Sequence, residues 1–303
     1  MIPSTQLFSV EPRDPWGLRR KQSVLALKAM WRIGCLTAVM AIAPALETRM
    51  VDGPSGRLHV DVRGSGGLAV VLIPSLAGSV RQWEPQLAHL ARTRQVIAIE
   101  LRGHGKSDAR RASTFQPRDY AEDIGAALDA LSIREAVIVG HSMGSAAALA
   151  FARQQPSRVR GLLLVDPVDD PLKRPADPDF ERFLTRLQGS DYAQLIEAYW
   201  KQILVNAAPG VASLVLDDLK ATPQRTVVES MRGLTRFDSS SALTSFKGPV
   251  MSVTTPLNDF PSSLHRVHPT LPHQRVTDVS HWLHLDRPEE FNRILDAFLD
   301  KIR

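Results

Sequence analysis

The chain has 303 residues, 44% hydrophobic and 23% charged, with a formal net charge of +5 and a single cysteine. Such a chain suits one large α/β domain or two smaller ones and is no disordered, collagenous or disulfide-stapled sequence. The first 45 residues hold six basic and two acidic side chains, a local +4, which leaves +1 for the rest. A nearly neutral remainder excludes a nucleic-acid surface, so no nucleic acid is expected as a partner.

Residues 1–45 do not have the pattern of a folded domain. Arg19, Arg20, Lys21, Lys28 and Arg32 precede a short apolar run at residues 33–43, and Ala43-Pro44-Ala45 offers a small-residue cleavage pattern. Basic region, apolar core and cleavage site outline a secretory signal, and the run is too short to span a bilayer. The segment reads either as a signal, giving a periplasmic or secreted protein, or as an anchor touching a membrane through residues 19–43. As a disordered extension it belongs to a cytoplasmic enzyme. Cys35 has no intramolecular disulfide partner, and no Cys/His cluster has zinc spacing. No metal or organic cofactor is expected, and the sequence leaves the oligomeric state open.

From Glu47 onward strands and turns take over. Residues 57–63 (RLHVDVR) alternate and end in Gly64-Ser65-Gly66-Gly67, a strand and its turn. Residues 69–73 (AVVLI) and 95–100 (QVIAIE) are continuous apolar runs, as strands buried on both faces should be. Helices are expected over 83–91 and 120–131. Residues 137–150 then read VIVGHSMGSAAALA: an apolar strand, the pattern G-x-S-x-G at Gly140–Gly144, and an Ala-rich helix. Strand, G-x-S-x-G, helix is the context of a nucleophile elbow, with Ser142 lifted out of a tight turn. The helix N-terminus behind it points N–H groups at any oxyanion that forms. A further strand is expected at 159–165.

The alternation then breaks. Residues 167–246 carry helical patterns, at 179–187, 192–205, 211–221 and 224–237, and no good strand. Strands resume at 249–254 and 274–279, Ser280-His281-Trp282 follow, and a last helix runs from 289 to about 301. The fold class is therefore α/β: a mostly parallel twisted sheet with helices on both faces and an inserted helical cap. The core is assigned to residues 46–166 and 247–303 and the cap to 167–246. A cap there covers the carboxyl ends of the strands, where open α/β sheets bind ligands.

Over residues 47–303 the chain resembles the α/β-hydrolase superfamily, whose motifs it carries in order. These are the oxyanion loop Pro74-Ser75-Leu76, the segment Glu100–Ser107 (ELRGHGKS), the elbow Gly140–Gly144, the segment Leu164-Val165-Asp166-Pro167, and His281 ahead of L-x-x-P-E-x-F at 285–291. The resemblance implies a Ser-His-Asp triad with Ser142 as nucleophile and His281 as base. It implies oxyanion N–H groups from Leu76 and Met143. The chain departs from the family in two places. Pro74-Ser75 stand where members commonly carry His-Gly. The family's usual acid position after the strand at 249–254 falls on Asn258, an amide. Asp259, one residue on, is the expected acid, and Asp166, just after the strand at 159–165, is the alternative.

The function these residues imply is hydrolysis of a small carboxylic ester or related acyl substrate, with Phe183 and Trp200 in an apolar substrate pocket. A serine nucleophile disfavours dehalogenase and epoxide hydrolase chemistry, which use aspartate there. Thioester, lactone, amide or C–C cleavage are compatible with the same triad, and fold alone does not choose among them. The rival classes are a non-catalytic ligand-binding protein on a hydrolase scaffold and a membrane-surface lipase using residues 19–43.

Overall fold

The computed structural model describes residues 47–174 and 177–302. The signal-like or anchoring segment expected at residues 1–45 lies outside them. Among the described residues no helix is long and apolar enough to cross a membrane.

Eight strands form one sheet: β1 (Glu47–Gly53), β2 (Gly56–Arg63), β3 (Ala69–Ile73), β4 (Val96–Ile99), β5 (Ala136–His141), β6 (Val159–Val165), β7 (Val250–Thr254) and β8 (His273–Arg275). Their spatial order is β1-β2-β4-β3-β5-β6-β7-β8. The hairpin β1–β2 and the β2–β4 pair are antiparallel, and the pairs from β4 to β8 are parallel. Helices α1 (Glu84–Leu90), α2 (Pro117–Ala130) and α3 (Met143–Gln154) alternate with the strands. Five more lie between β6 and β7: α4 (Pro178–Arg186), α5 (Tyr192–Ile203), α6 (Val211–Ala221), α7 (Gln224–Leu234) and α8 (Ser239–Ser245). Then come α9 (Leu264–Val267), α10 (Leu283–Asp286) and α11 (Pro288–Leu299).

The unbroken apolar runs are explained by period-two alternation between two cores. Val71, Ile73, Ile97, Ile99, Ile138, Leu162 and Leu164 pack on one face with α2 and α3. Val70, Leu72, Val96, Ala98, Val137, Val139, Leu163 and Val165 pack on the other with α1 and α11. The insertion joins the first core through Leu184, Ile196, Trp200, Val215, Leu219 and Val227. Its apolar residues are thus continuous with the domain's own interior.

The structure departs from the sequence reading in three places. In β2 the polar His59 and Asp61 are buried along with their apolar neighbours. Polar partners make this tolerable, because Asp61 accepts from Thr48 Oγ1 at 2.8 Å and His59 Nδ1 lies 3.0 Å from Glu100. β8 is only three residues long and exposed; Val276 and Val279 join the core from irregular backbone instead. And α2 begins three residues early, at Pro117, whose fixed φ suits a first helical position. Reciprocal bonds between Gln116 and Asp119 cap it.

The ELRGHGKS segment is structural. Arg102 and Asp123 are both buried, joined by Nε and Nη2 bonds of 2.8–3.1 Å, and Asp123 also accepts the Arg102 amide at 2.9 Å. Burial holds the Asp123 carboxyl above the usual range, against the opposing pull of its pairing to Arg102. Removing one partner of such a pair strands the other charge in the interior. Arg102→Met is expected to cost about 3–5 kcal/mol of unfolding free energy, measured as a shift in urea midpoint.

Candidate active site

Ser142 sits between the last residue of β5 and the first of α3, with φ 53° and ψ −116°. A side chain at positive φ in this region costs on the order of 1–3 kcal/mol and persists only where the surroundings enforce it. Here they do. The Ser142 amide donates to Val165 O at 2.9 Å, which ties the turn to β6. A Cβ on Gly140 would meet the Gly144 carbonyl oxygen at 2.2 Å. A Cβ on Gly144 would meet the carbonyls of Ile73 and Pro74 at 2.5 and 2.6 Å. Both glycines of the motif are therefore steric requirements, and Gly144 lets the start of α3 press against the end of β3.

Two backbone segments border the serine, the start of α3 and the turn after β3. Met143 is the first residue of α3, and an N–H at that position has no intrahelical partner. Ser75 to Gly78 form a turn closed by the Gly78 amide on Ser75 O at 3.0 Å, with Ala77 at φ 57°. The Leu76 amide takes no part in the bond closing this turn, and Leu76 lines the same cavity as Ser142. Pro74-Ser75 thus build a closed turn without the glycine common in the family.

His281 follows β8 on a loop held from both sides. Its amide donates to Ile203 O at the end of α5 (3.0 Å), and its carbonyl lies 2.9 Å from His141 Nε2. Its Nδ1 is 2.6 Å from Asp166 Oδ2. A carboxylate only accepts, so Nδ1 carries the proton and Nε2 is the lone-pair nitrogen. Asp166, at φ 39° directly after β6, is fully buried. The other bonds of its carboxylate are from Thr255, from N at 2.8 Å to Oδ1 and from Oγ1 at 2.9 Å to Oδ2.

The structure brings Asp166 to His281 and places Asp259, the expected acid, elsewhere. Asp259 is bound to Arg266 at 2.7 and 2.9 Å, to Arg275 at 3.0 Å and to His265 at 3.2 Å. Its hydrogen bonds to Arg266, and then to His265, hold its carboxyl well below the usual range. A 3₁₀ turn at Pro256–Asn258 carries the chain away after β7, so Asp259 faces this basic cluster instead of His281. Asn258 turns its amide to Pro167 O. The carboxylate that meets His281 comes from the neighbouring strand end. One signal was available in the sequence: Asp166 ends the run LLLV, and an aspartate at the tip of a strand buried on both faces must be paired.

Ser142, His281, Ser75 and Leu76 open onto a cavity of about 220 Å³. The insertion supplies its opposite wall, with Phe180 from α4, Tyr199, Trp200 and Ile203 from α5, and Met231 and Leu234 from α7. Trp200, one of the two expected pocket residues, lines this cavity. Phe183 does not line the cavity; it packs behind the wall, its ring centroid 6.1 Å from Phe180 and 5.4 Å from Tyr199. As residues i and i+3 of one helix, Phe180 and Phe183 share a face, and Phe180 is the nearer. The sequence reading missed Asp169 and Arg174. They line the cavity as a bonded pair, with Arg174 Nε 3.0 Å from Asp169 Oδ2. Among the described residues no group of three His, Cys, Asp or Glu could hold a metal ion.

Two further histidines stand behind the site. His141 and His284 are fully buried, with ring centroids 4.7 Å apart, and His284 lies 4.2 Å from Trp83. Burial pushes His141 well below the usual imidazole range, reinforced by His281 and His284, and brings His284 down to about 3. Burial likewise lowers His104 to about 4. Each is neutral in the folded protein, whereas the unfolded chain protonates it near pH 6.5. Below that pH the unfolded state binds more protons, so stability is fully present above pH 6.5 and declines as pH falls towards 4. The urea midpoint is expected to drop over that window, and His284→Phe should flatten the slope. An unchanged slope would count against a desolvated His284.

A family model described as "alpha/beta hydrolase fold" matches residues 69–288. A Variovorax paradoxus protein with a provisional carbamate-hydrolase name is 38% identical over 111 residues, which are 36% of this chain and 42% of that protein. The chain thus matches less than half the length of that relative. The 3-oxoadipate enol-lactonase 1 of Acinetobacter baylyi is 25% identical over 270 residues, covering 85% of this chain and 99% of that one. Among solved structures, a thermophilic esterase from Thermogutta terrifontis superposes with a TM-score of 0.70 at 22% identity, covering 85% of this chain and 98% of the esterase.

Proposed function

The chain belongs to the α/β-hydrolase fold family, and from that premise we propose that it is a serine hydrolase cleaving a small carboxylic ester or lactone through Ser142, His281 and Asp166. One observation carries the reading. The strained Ser142 faces the same cavity as His281, whose Nδ1 is held at 2.6 Å by a fully buried carboxylate.

In this mechanism Ser142 Oγ attacks the substrate carbonyl as His281 Nε2 takes its proton. Asp166 stabilises the resulting imidazolium, and Thr255 keeps the carboxylate oriented. The tetrahedral oxyanion accepts from the Leu76 and Met143 amides, each donor typically worth on the order of 100- to 1000-fold in rate. The carbonyl re-forms, the C–O bond breaks, and the imidazolium protonates the departing alkoxide. Water then attacks the Ser142 acyl ester with His281 again as base, releasing the acid and regenerating the serine.

The cavity argues for a neutral, mostly apolar acyl group of modest size. Its insertion wall is aromatic and aliphatic, and its arginine is already neutralised by Asp169. The full-length likeness to an enol-lactonase supports including lactones, whose ring opening uses the same steps.

A fluorophosphonate should label the wild-type chain and leave Ser142→Ala unlabelled. p-Nitrophenyl esters of rising chain length and a lactone panel should be turned over by the wild type alone. A folded wild type that neither labels nor turns over any of them would overturn the proposal and favour a binding protein on this scaffold. The two acids separate cleanly. Asp166→Asn should lower kcat/KM by about 100- to 10,000-fold, whereas Asp259→Asn should change it by less than about threefold. Trp200→Ala should move the chain-length optimum towards longer acyl groups.

A further inference from the structure

Gln82, just ahead of α1, lies outside the cavity and is 1% exposed. Its side-chain amide joins three separate parts of the molecule. Oε1 accepts from Trp282 Nε1 at 3.0 Å and from Ser75 Oγ at 3.2 Å, and Nε2 donates to Asp218 Oδ2 at 3.0 Å. The chemistry of the partners allows one amide orientation only. An indole N–H can only donate and a carboxylate can only accept, so the oxygen must face Trp282 and the nitrogen Asp218.

The positions of those partners give the tie its meaning. Ser75 directly precedes Leu76, the proposed oxyanion donor. Trp282 directly follows His281, the proposed base. Asp218 belongs to α6 of the insertion and is itself fixed by Ser79 Oγ at 2.8 Å and by Arg81. One buried amide thus couples the oxyanion loop and the histidine loop to each other, with the insertion as anchor. Gln82 itself does not line the cavity, whereas its partners Ser75 and Trp282 do.

We infer that Gln82 is a positioning residue: it sets the oxyanion loop and His281 in register with each other, and Asp218 holds its amide in place. The inference rests on the serine-hydrolase reading above. Because Gln82 does not line the cavity, its loss should spare ground-state binding and weaken transition-state stabilisation. A displacement on the order of 1 Å at reacting groups costs about 100-fold in rate.

The test compares the full-length wild type with Gln82→Met, which keeps length and volume but has no amide. Active sites are first titrated with a fluorophosphonate, so that rates are expressed per competent site. The expected result is a fall in kcat of about 10- to 100-fold with KM for a neutral p-nitrophenyl ester within about twofold. The inhibition constant of an alkylboronic acid, which forms a tetrahedral adduct on the serine, should rise by the same factor as kcat/KM falls. A variant whose titratable fraction drops, while kcat per site and boronate affinity stay at wild-type values, assigns Gln82 to folding alone and overturns the inference. So does an unchanged kcat. If Gln82→Met does not fold, Asp218→Ala removes the anchor from the far side of the tie. It should show the same signature with a smaller factor, and wild-type kcat and boronate affinity there would overturn the inference equally. A wild type that does not label at all overturns the serine reading, and this role with it. A labelled, active wild type beside an unaltered Gln82→Met overturns only this role.

Discussion

A carboxylate with no exposure to water must be satisfied by the protein, and Asp166 is that carboxylate. Its oxygens gather the amide and hydroxyl of Thr255 from the end of β7 and Nδ1 of His281 from the loop after β8. The parallel register of β6 and β7 makes this meeting possible, because strand ends on the same edge of a sheet are neighbours in space whatever their separation in sequence. Breaking any one of these bonds leaves a buried charge short of a partner. The histidine's orientation is therefore a consequence of the acid's solvation.

The helical insertion is structurally committed to the same loops. Ile203 receives the His281 amide, and Asp286 accepts both from the Ala208 amide and from Ser280. Asp218 reaches Ser75 and Trp282 through Gln82. The insertion's apolar residues join the core over α2 and α3. Its cavity wall and its ties to the sheet domain are thus parts of one packed body.

Burial divides the histidines. His141, His284 and His104 are fully enclosed and held neutral, so they serve as packing groups, with His141 and His104 each also making one ring hydrogen bond. His281 lines the cavity and pairs with a carboxylate, the environment suited to proton transfer. The difference is one of solvation and partner, and the residue type alone carries no trace of it.

Much of the fold was legible in the sequence because it is written in local terms. β3, β4, β5 and β6 appear as apolar runs, the elbow as two glycines around Ser142, and the insertion as a stretch where helical spacing replaces strands. His281 stood out through the resemblance, as the late histidine ahead of L-x-x-P-E-x-F, although β8 itself ends at Arg275. The carboxylate that meets His281 was marked only weakly, by the place of Asp166 at the tip of a buried strand, since Asp166 and Asp259 are alike as residues. Only the turn at Pro256–Asn258 and the pairing of β6 with β7 decide which one faces the histidine. Phe183 and Trp200 look equivalent as apolar helix residues, and only the packing of α4 on α5 puts one at the cavity and the other behind it. Gln82 carries no local signal at all, since its three partners lie 7, 136 and 200 residues away. Sequence by itself determined most of the elements and the strand–turn–helix elbow around Ser142, which depend on neighbours along the chain. Tertiary structure alone decided which carboxylate meets His281, the cavity wall and the buried amide tie, which depend on solvation and on contacts between segments far apart in sequence.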